Sequence, residues 1–110
     1  LRDELGIPRS IPEQVDRLVR LGLSAGVQGI VCSPAETGAL RAAHGRDFLV
    51  VNPGIRGPGD KADDQRRTAS AAEALSAGAD YLVVGRPILT AADPAAKVRE
   101  LRASFPSDRR

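Results

Sequence analysis

A chain of 110 residues, 42% hydrophobic and 27% charged, is sized for one small domain and composed like an ordinary globular protein. A net charge of +2, bases dispersed among acids, and only two Phe and one Tyr argue against nucleic-acid binding, which uses concentrated basic surface and aromatic stacking platforms. No apolar run approaches the roughly 20 residues of a membrane helix, no signal-peptide pattern opens the chain, and a single cysteine excludes an internal disulfide and suits a reducing cytoplasm.

The chain contains no Met and opens at Leu1, so the expectation is a processed or truncated polypeptide, or one whose leading residues are left out. From there, helices alternate with short apolar strands. Ser10-Ile11-Pro12-Glu13 has capping-box spacing, and Val15, Leu18, Val19 and Leu23 follow at helical intervals up to Gly26. Gly29-Ile30-Val31-Cys32 is too short and apolar for an amphipathic helix and reads as a buried strand. Ser33-Pro34-Ala35-Glu36 repeats the capping device with Pro at the first helical position, opening a helix to about Ala43 with Gly45 as its stop.

Phe48-Leu49-Val50-Val51 is the second predicted strand. A Gly-, Pro- and charge-rich segment runs from Asn52 to about Ala69. Ser70-Ala71-Ala72-Glu73 then gives a third capping box, ending at Gly78, and Tyr81-Leu82-Val83-Val84 is the third strand, closed by Gly85-Arg86-Pro87-Ile88. Asp93-Pro94 caps a last helix with Val98 and Leu101 on its inner face, and residues 105–110 read as a flexible tail. Strands without polar alternation are expected to be covered on both faces, as in parallel sheets with helical crossovers. The fold class is α/β, one domain over 1–110, either doubly wound or part of a (β/α)8 barrel.

In both architectures ligands bind beyond the carboxyl ends of the strands. Those positions hold Cys32-Ser33, Asn52-Pro53-Gly54-Ile55-Arg56 and Gly85-Arg86-Pro87, small or polar residues with two arginines, which points to an anion. Gly85 would let a backbone N–H approach an oxyanion while Arg86 offers a planar fork for phosphate oxygens; the same pair also fits a surface arginine after a tight turn. The long segment through Gln65-Arg66-Arg67 fits a binding loop or a solvated insertion. Asp60-Lys61-Ala62-Asp63-Asp64 has the make-up of a Lys–carboxylate catalytic cluster but reads better as a solvated charge run, since nothing buries the lysine. His44 reads as a surface or C-capping residue, and Cys32 as a small apolar residue at a strand end; with no second Cys or paired His, no metal site is expected.

From Gly29 to about Ala103 the sequence resembles the carboxyl-terminal part of bacterial-type orotidine 5'-monophosphate decarboxylases. The resemblance rests on Gly29-Ile30-Val31-Cys32-Ser33, Pro53-Gly54-Ile55-Arg56, Asp64-Gln65-Arg66-Arg67, the run from Ala77 to Ile88, and Asp93-Pro94. It implies roughly the last three β/α units of a TIM barrel, in an enzyme that converts OMP to UMP and CO2 in pyrimidine biosynthesis without metal or organic cofactor. It further implies that Gly85 and Arg86 hold the substrate phosphate, that Gln65 sits between phosphate and pyrimidine, and that Arg56 belongs to the same binding loop. A homodimer is implied for the complete protein.

Two departures stand out in the matching stretch: Asn52 where the family usually has Thr, at the expected site rim, and Ser70-Ala71 for a common Thr-Pro. The family's Asp-x-Lys-x-x-Asp motif, which supplies the carboxylate that stresses the substrate and the lysine that protonates C6, is absent, so no catalytic residue is assigned and the chain alone is expected to be inactive. Related sugar-phosphate barrels, such as hexulose-phosphate synthase or keto-gulonate phosphate decarboxylase, share the phosphate grip, and a non-catalytic phosphate-binding module is a further alternative. A partial barrel would leave strand edges and one apolar face uncovered, so the isolated chain is expected to self-associate or to need the remaining units.

Overall fold

The structure, a computed structural model, describes residues 10–57 and 69–106. Helix α1 (Ile11–Ser24) starts at a complete capping box: Ser10 Oγ accepts from the Glu13 N–H at 3.3 Å and Glu13 returns a carboxylate oxygen to the Ser10 N–H at 3.0 Å. Satisfying two otherwise orphaned donors in this way stabilises a helix start by about 1 kcal/mol. Of the predicted inner positions, Val19 is buried whereas Leu18 stays exposed, as do Ile11 and Leu21 on the same helix.

Strand β1 (Gly29–Val31) leads into helix α2 (Pro34–His44). Here the capping expectation fails in detail. Ser33 is the N-cap, but its hydroxyl donates to the Glu36 carboxylate instead of accepting a backbone N–H. Ser33 and Glu36 are joined side chain to side chain, and Pro34 removes one backbone donor at the start of the helix. At the other end His44 is more than a surface residue: its side chain is 12% exposed, and Nε2 lies 2.7 Å from Asp16 Oδ1, linking α2 to α1.

Strand β2 (Leu49–Asn52) begins one residue later than predicted, with Phe48 buried in the core just before it. Pro53 and Gly54, the latter at φ 73°, turn the chain into β3 (Ile55–Arg56), a strand inside the segment read as loop. Pro followed by a positive-φ Gly is the chemistry of a tight turn. β3 pairs in parallel with β4 (Ala69–Ser70), in the register Ile55↔Ala69 and Arg56↔Ser70. Helix α3 (Ala71–Ala77) opens with the predicted Ser70–Glu73 capping box and closes at Gly78, whose φ of 118° disfavours any side chain and where a Cβ would come within 2.9 Å of Arg41 Cγ. Then come β5 (Tyr81–Leu82), shorter than predicted, the single turn α4 (Arg86–Leu89) and α5 (Pro94–Ala103), where the Asp93 carboxylate caps the Ala96 N–H at 3.1 Å. Leu101 is buried on α5, but Val98 is exposed. Of the predicted tail, 107–110 lie outside the described residues.

The main sheet is parallel, in the order β1-β2-β5, so each strand lies beside the preceding strand of the sheet. Phe48, Val50, Ile55, Ala71, Ala74 and Ala79 form the core, with Ile30, Leu82 and Val84 packed against it. Residues one position out of phase point the other way. Val31 is 71% exposed, Tyr81 60%, Val83 53% and Leu49 48%. Strand side chains alternate between faces, so the expectation of cover on both faces holds for one face only among the described residues.

Candidate functional site

Because the three strands run in one direction, their carboxyl ends share an edge. Cys32 N–H donates to Val51 O at 3.1 Å and Val83 N–H to Asn52 O at 2.9 Å, which extends the ladder one residue past β1 and β5. The residues that follow, Ser33, Pro53-Gly54 and Val84-Gly85-Arg86, are thereby carried to neighbouring positions on that edge.

Directly beneath lies a buried polar cluster. Asn52 and Thr37 are both fully buried. The Asn52 amide donates to Cys32 O at 2.8 Å and to Thr37 Oγ1 at 2.9 Å; Thr37 Oγ1 lies 3.2 Å from Asn52 Oδ1 and 3.4 Å from Ser33 O. Buried polar groups need such partners to offset desolvation. Asn52, expected at the site rim, is instead the polar floor below it. Cys32 is half-buried, its Sγ 3.7 Å from Thr37 Oγ1, and burial pushes its thiol pKa up despite the hydroxyl beside it. A raised pKa disfavours the reactive thiolate at neutral pH, in keeping with a packing role.

The predicted site residues fall out as follows. Arg56, on β3, is partly buried and its guanidinium lies 3.5 Å from Glu73 Oε1 at the start of α3. Glu73 is 64% exposed, so this pair is weak and solvent-screened; the Ser70 backbone N–H, followed by its hydroxyl, holds the Glu73 carboxyl below its ordinary range. Gly85 and Arg86 are exposed at the start of α4, and a Cβ on Gly85 would meet nothing within 4 Å. Among the described residues, no neighbour therefore excludes a side chain at Gly85. Gln65, with Lys61 and the Asp64–Arg67 run, lies outside the described residues; the segment that carries them leaves from Gly57 and returns at Ala69, whose N–H bonds to Gly54 O at 3.3 Å.

Sequence reasoning missed Thr37. The available signal was its spacing from Pro34 and Leu40, the other buried residues of α2, which puts a hydroxyl on the core face.

The chain is thus an α/β protein of parallel β/α units, with Arg56 and Gly85-Arg86 following the carboxyl ends of β2 and β5 along the chain. Its family follows from comparison with known proteins. The sequence model of the orotidine 5'-phosphate decarboxylase / HUMPS family matches residues 1–101, and the chain belongs to that family. It is 50% identical over 105 residues to the orotidine 5'-phosphate decarboxylase of Moorella thermoacetica, covering 96% of this chain and 42% of that protein. It is 54% identical over 90 residues to that of Citrifermentans bemidjiense, covering 82% and 38%. The crystal structure of orotidine 5'-phosphate decarboxylase from Lactobacillus acidophilus superposes with a TM-score of 0.80 at 35% identity, over 96% of this chain and 42% of that one. The chain spans about two fifths of the length of these relatives.

Proposed function

We propose that this chain supplies the phosphate-binding, carboxyl-terminal part of an orotidine 5'-phosphate decarboxylase, the enzyme that releases CO2 from OMP and places a proton on C6 to give UMP. The observation that carries this reading is the position of Gly85-Arg86 just past the carboxyl end of β5, with no neighbour among the described residues within 4 Å of where a Gly85 side chain would stand. Gly85 presents its amide and Arg86 its guanidinium to the phosphate. Gln65 and Arg56, from the segment rooted on β3 and β4, complete the grip. Binding energy collected at the phosphate, remote from the reacting carbon, is spent on closing the loop and stabilising the transition state.

In this reading the chain forms the last three β/α units of a TIM barrel. The parallel order β1-β2-β5, the packing of Leu23, Ala71 and Ala74 with Val50 in the core, and exposed Val31, Leu49, Tyr81 and Val83 support it, since those exposed side chains would face the barrel interior. The carboxylate and lysine that work on the substrate come from the Asp-x-Lys-x-x-Asp motif, which this sequence lacks, so the chain by itself decarboxylates nothing. The complete enzyme is a cytoplasmic homodimer that acts on a free nucleotide and uses no cofactor. Among the described residues, no helix is long and apolar enough to cross a membrane.

Isothermal titration with UMP tests the assignment. The chain is expected to bind UMP, and Arg86→Ala to weaken binding by about tenfold or more, since hydrogen bonds to charged groups contribute about 1.5–3 kcal/mol. Equal affinity in the variant would remove Arg86 from the site.

A further inference from the structure

We propose that Asn52 is a positioning residue for the anion site: its side chain ties together the strand ends from which both arginine-bearing segments depart. The inference rests on the phosphate reading above and adds to it a residue that touches no ligand. Asn52 holds three neighbours at once. Its side-chain amide donates to Cys32 O, at the exit of β1, and to Thr37 Oγ1 on α2. Its backbone carbonyl accepts from Val83 N–H, two residues before Gly85. Its own carboxyl side is Pro53-Gly54, the turn that leads to Arg56.

The amide fits this place by shape. An Asn side chain offers two N–H donors, and here one goes to a strand carbonyl and the other to a hydroxyl, 2.8 and 2.9 Å away. The Thr37 hydroxyl, itself fully buried, can hand its proton on to Ser33 O at 3.4 Å. One residue thus fixes the β1 exit, the first turns of α2 and the origin of the β3 segment, while its backbone holds Val83. No water competes at a fully buried amide, so its geometry passes directly to the residues above it. A small displacement at this floor moves Arg56 and Arg86 relative to each other, and simultaneous contact with one phosphate depends on that separation.

The test is a titration of inorganic phosphate into the chain, followed by isothermal calorimetry, for wild type, Asn52→Ala, Asn52→Thr, Thr37→Val and Val19→Ala. Val19 is a buried residue of α1 on none of these hydrogen bonds and serves as the control for lost stability. Asn52→Ala is expected to bind phosphate about tenfold more weakly than wild type. Asn52→Thr, which replaces the two amide N–H donors with a single hydroxyl donor, falls between them, and Thr37→Val shifts in the same direction as Ala. Should Asn52→Ala fail to fold, the Thr and Val variants carry the comparison. Equal affinity across the Asn52 and Thr37 variants, or a loss no greater than that of a Val19→Ala chain with the same drop in melting temperature, overturns the proposal alone. A wild-type chain that takes up no phosphate overturns the anion-site reading, and the proposal with it.

Discussion

The guanidinium of Arg41 and the carboxylate of Asp80 meet at 2.7 Å, with only 7% and 11% of the two side chains exposed. Around this contact the entry ends of the strands are pinned. Arg41 also donates to Gly78 O at 2.9 and 3.0 Å and to Phe48 O at 2.7 Å, and its charge stands 4.7 Å from the Phe48 ring centroid. Asp80 accepts in addition from the Val50 N–H at 2.9 Å. Buried charges persist only when so fully partnered. Removing either one leaves the other uncompensated: Asp80→Ala and Arg41→Ala are each expected to cost about 3–5 kcal/mol in urea denaturation. A loss below 1 kcal/mol, the scale of an exposed pair, would show that the contact is not maintained in solution.

The capping carboxylate of Glu73 yields a pH prediction. Its pKa is lowered in the fold, so its contribution to stability is present above the ordinary Glu range and is lost as pH falls through the depressed folded value. Carboxyl chemical shifts followed by NMR should place the Glu73 midpoint below that of a model Glu peptide. Glu73→Ala, which removes one half of the capping box, should cost about 0.5–2 kcal/mol. A midpoint at or above the peptide value would mean that the cap does not form.

Cys32 has the opposite sign. Burial raises its thiol pKa, so the neutral form suits the fold; stability is intact below the unfolded thiol pKa and declines as pH rises through the folded one. Disulfide-exchange reagents should therefore modify Cys32 more slowly than a free thiol at pH 8, with the rate rising toward a higher midpoint. A fast reaction at neutral pH would contradict the packing of Cys32 beside Thr37.

Exposure of Val31, Tyr81 and Val83 on one side of the sheet predicts association. At micromolar concentration the isolated chain should sediment as more than a monomer, and Val31→Thr combined with Val83→Thr should move it toward the monomer, because apolar surface of this extent is seldom left wet. A sharp, cooperative and concentration-independent melt of a monomeric wild type would count against this.

The sequence made some of these features legible and hid others for definite reasons. Ser10, Ser70 and Asp93 announced helix starts because capping is a local matter of residue type and spacing, and all three caps form. Ser33 carried the same signature and does not cap, since its hydroxyl found the Glu36 carboxylate first. The strands of the main sheet were visible as apolar runs, whereas β3 and β4, two residues each, lay hidden in the segment read as loop and at the following helix start. The side of the sheet left uncovered was not legible either, because the exposure of Val31 and Tyr81 is set by tertiary packing, which no local pattern records. Likewise Gly85-Arg86 could be located at a strand end from the sequence, whereas the Asn52–Thr37 floor joins residues 15 apart and emerges only once α2 packs on β2. His44 with Asp16, 28 apart, and Arg41 with Asp80, 39 apart, were hidden by the same distance.

Neighbouring strands of the sheet also follow one another along the chain, with Gly29 beside Leu49 and Val51 beside Tyr81. Partners separated by a few tens of residues meet early, so assembly can proceed unit by unit as the polypeptide leaves the ribosome, each new strand templated by the one already in place. Within the sheet the direction of synthesis and the direction of growth coincide.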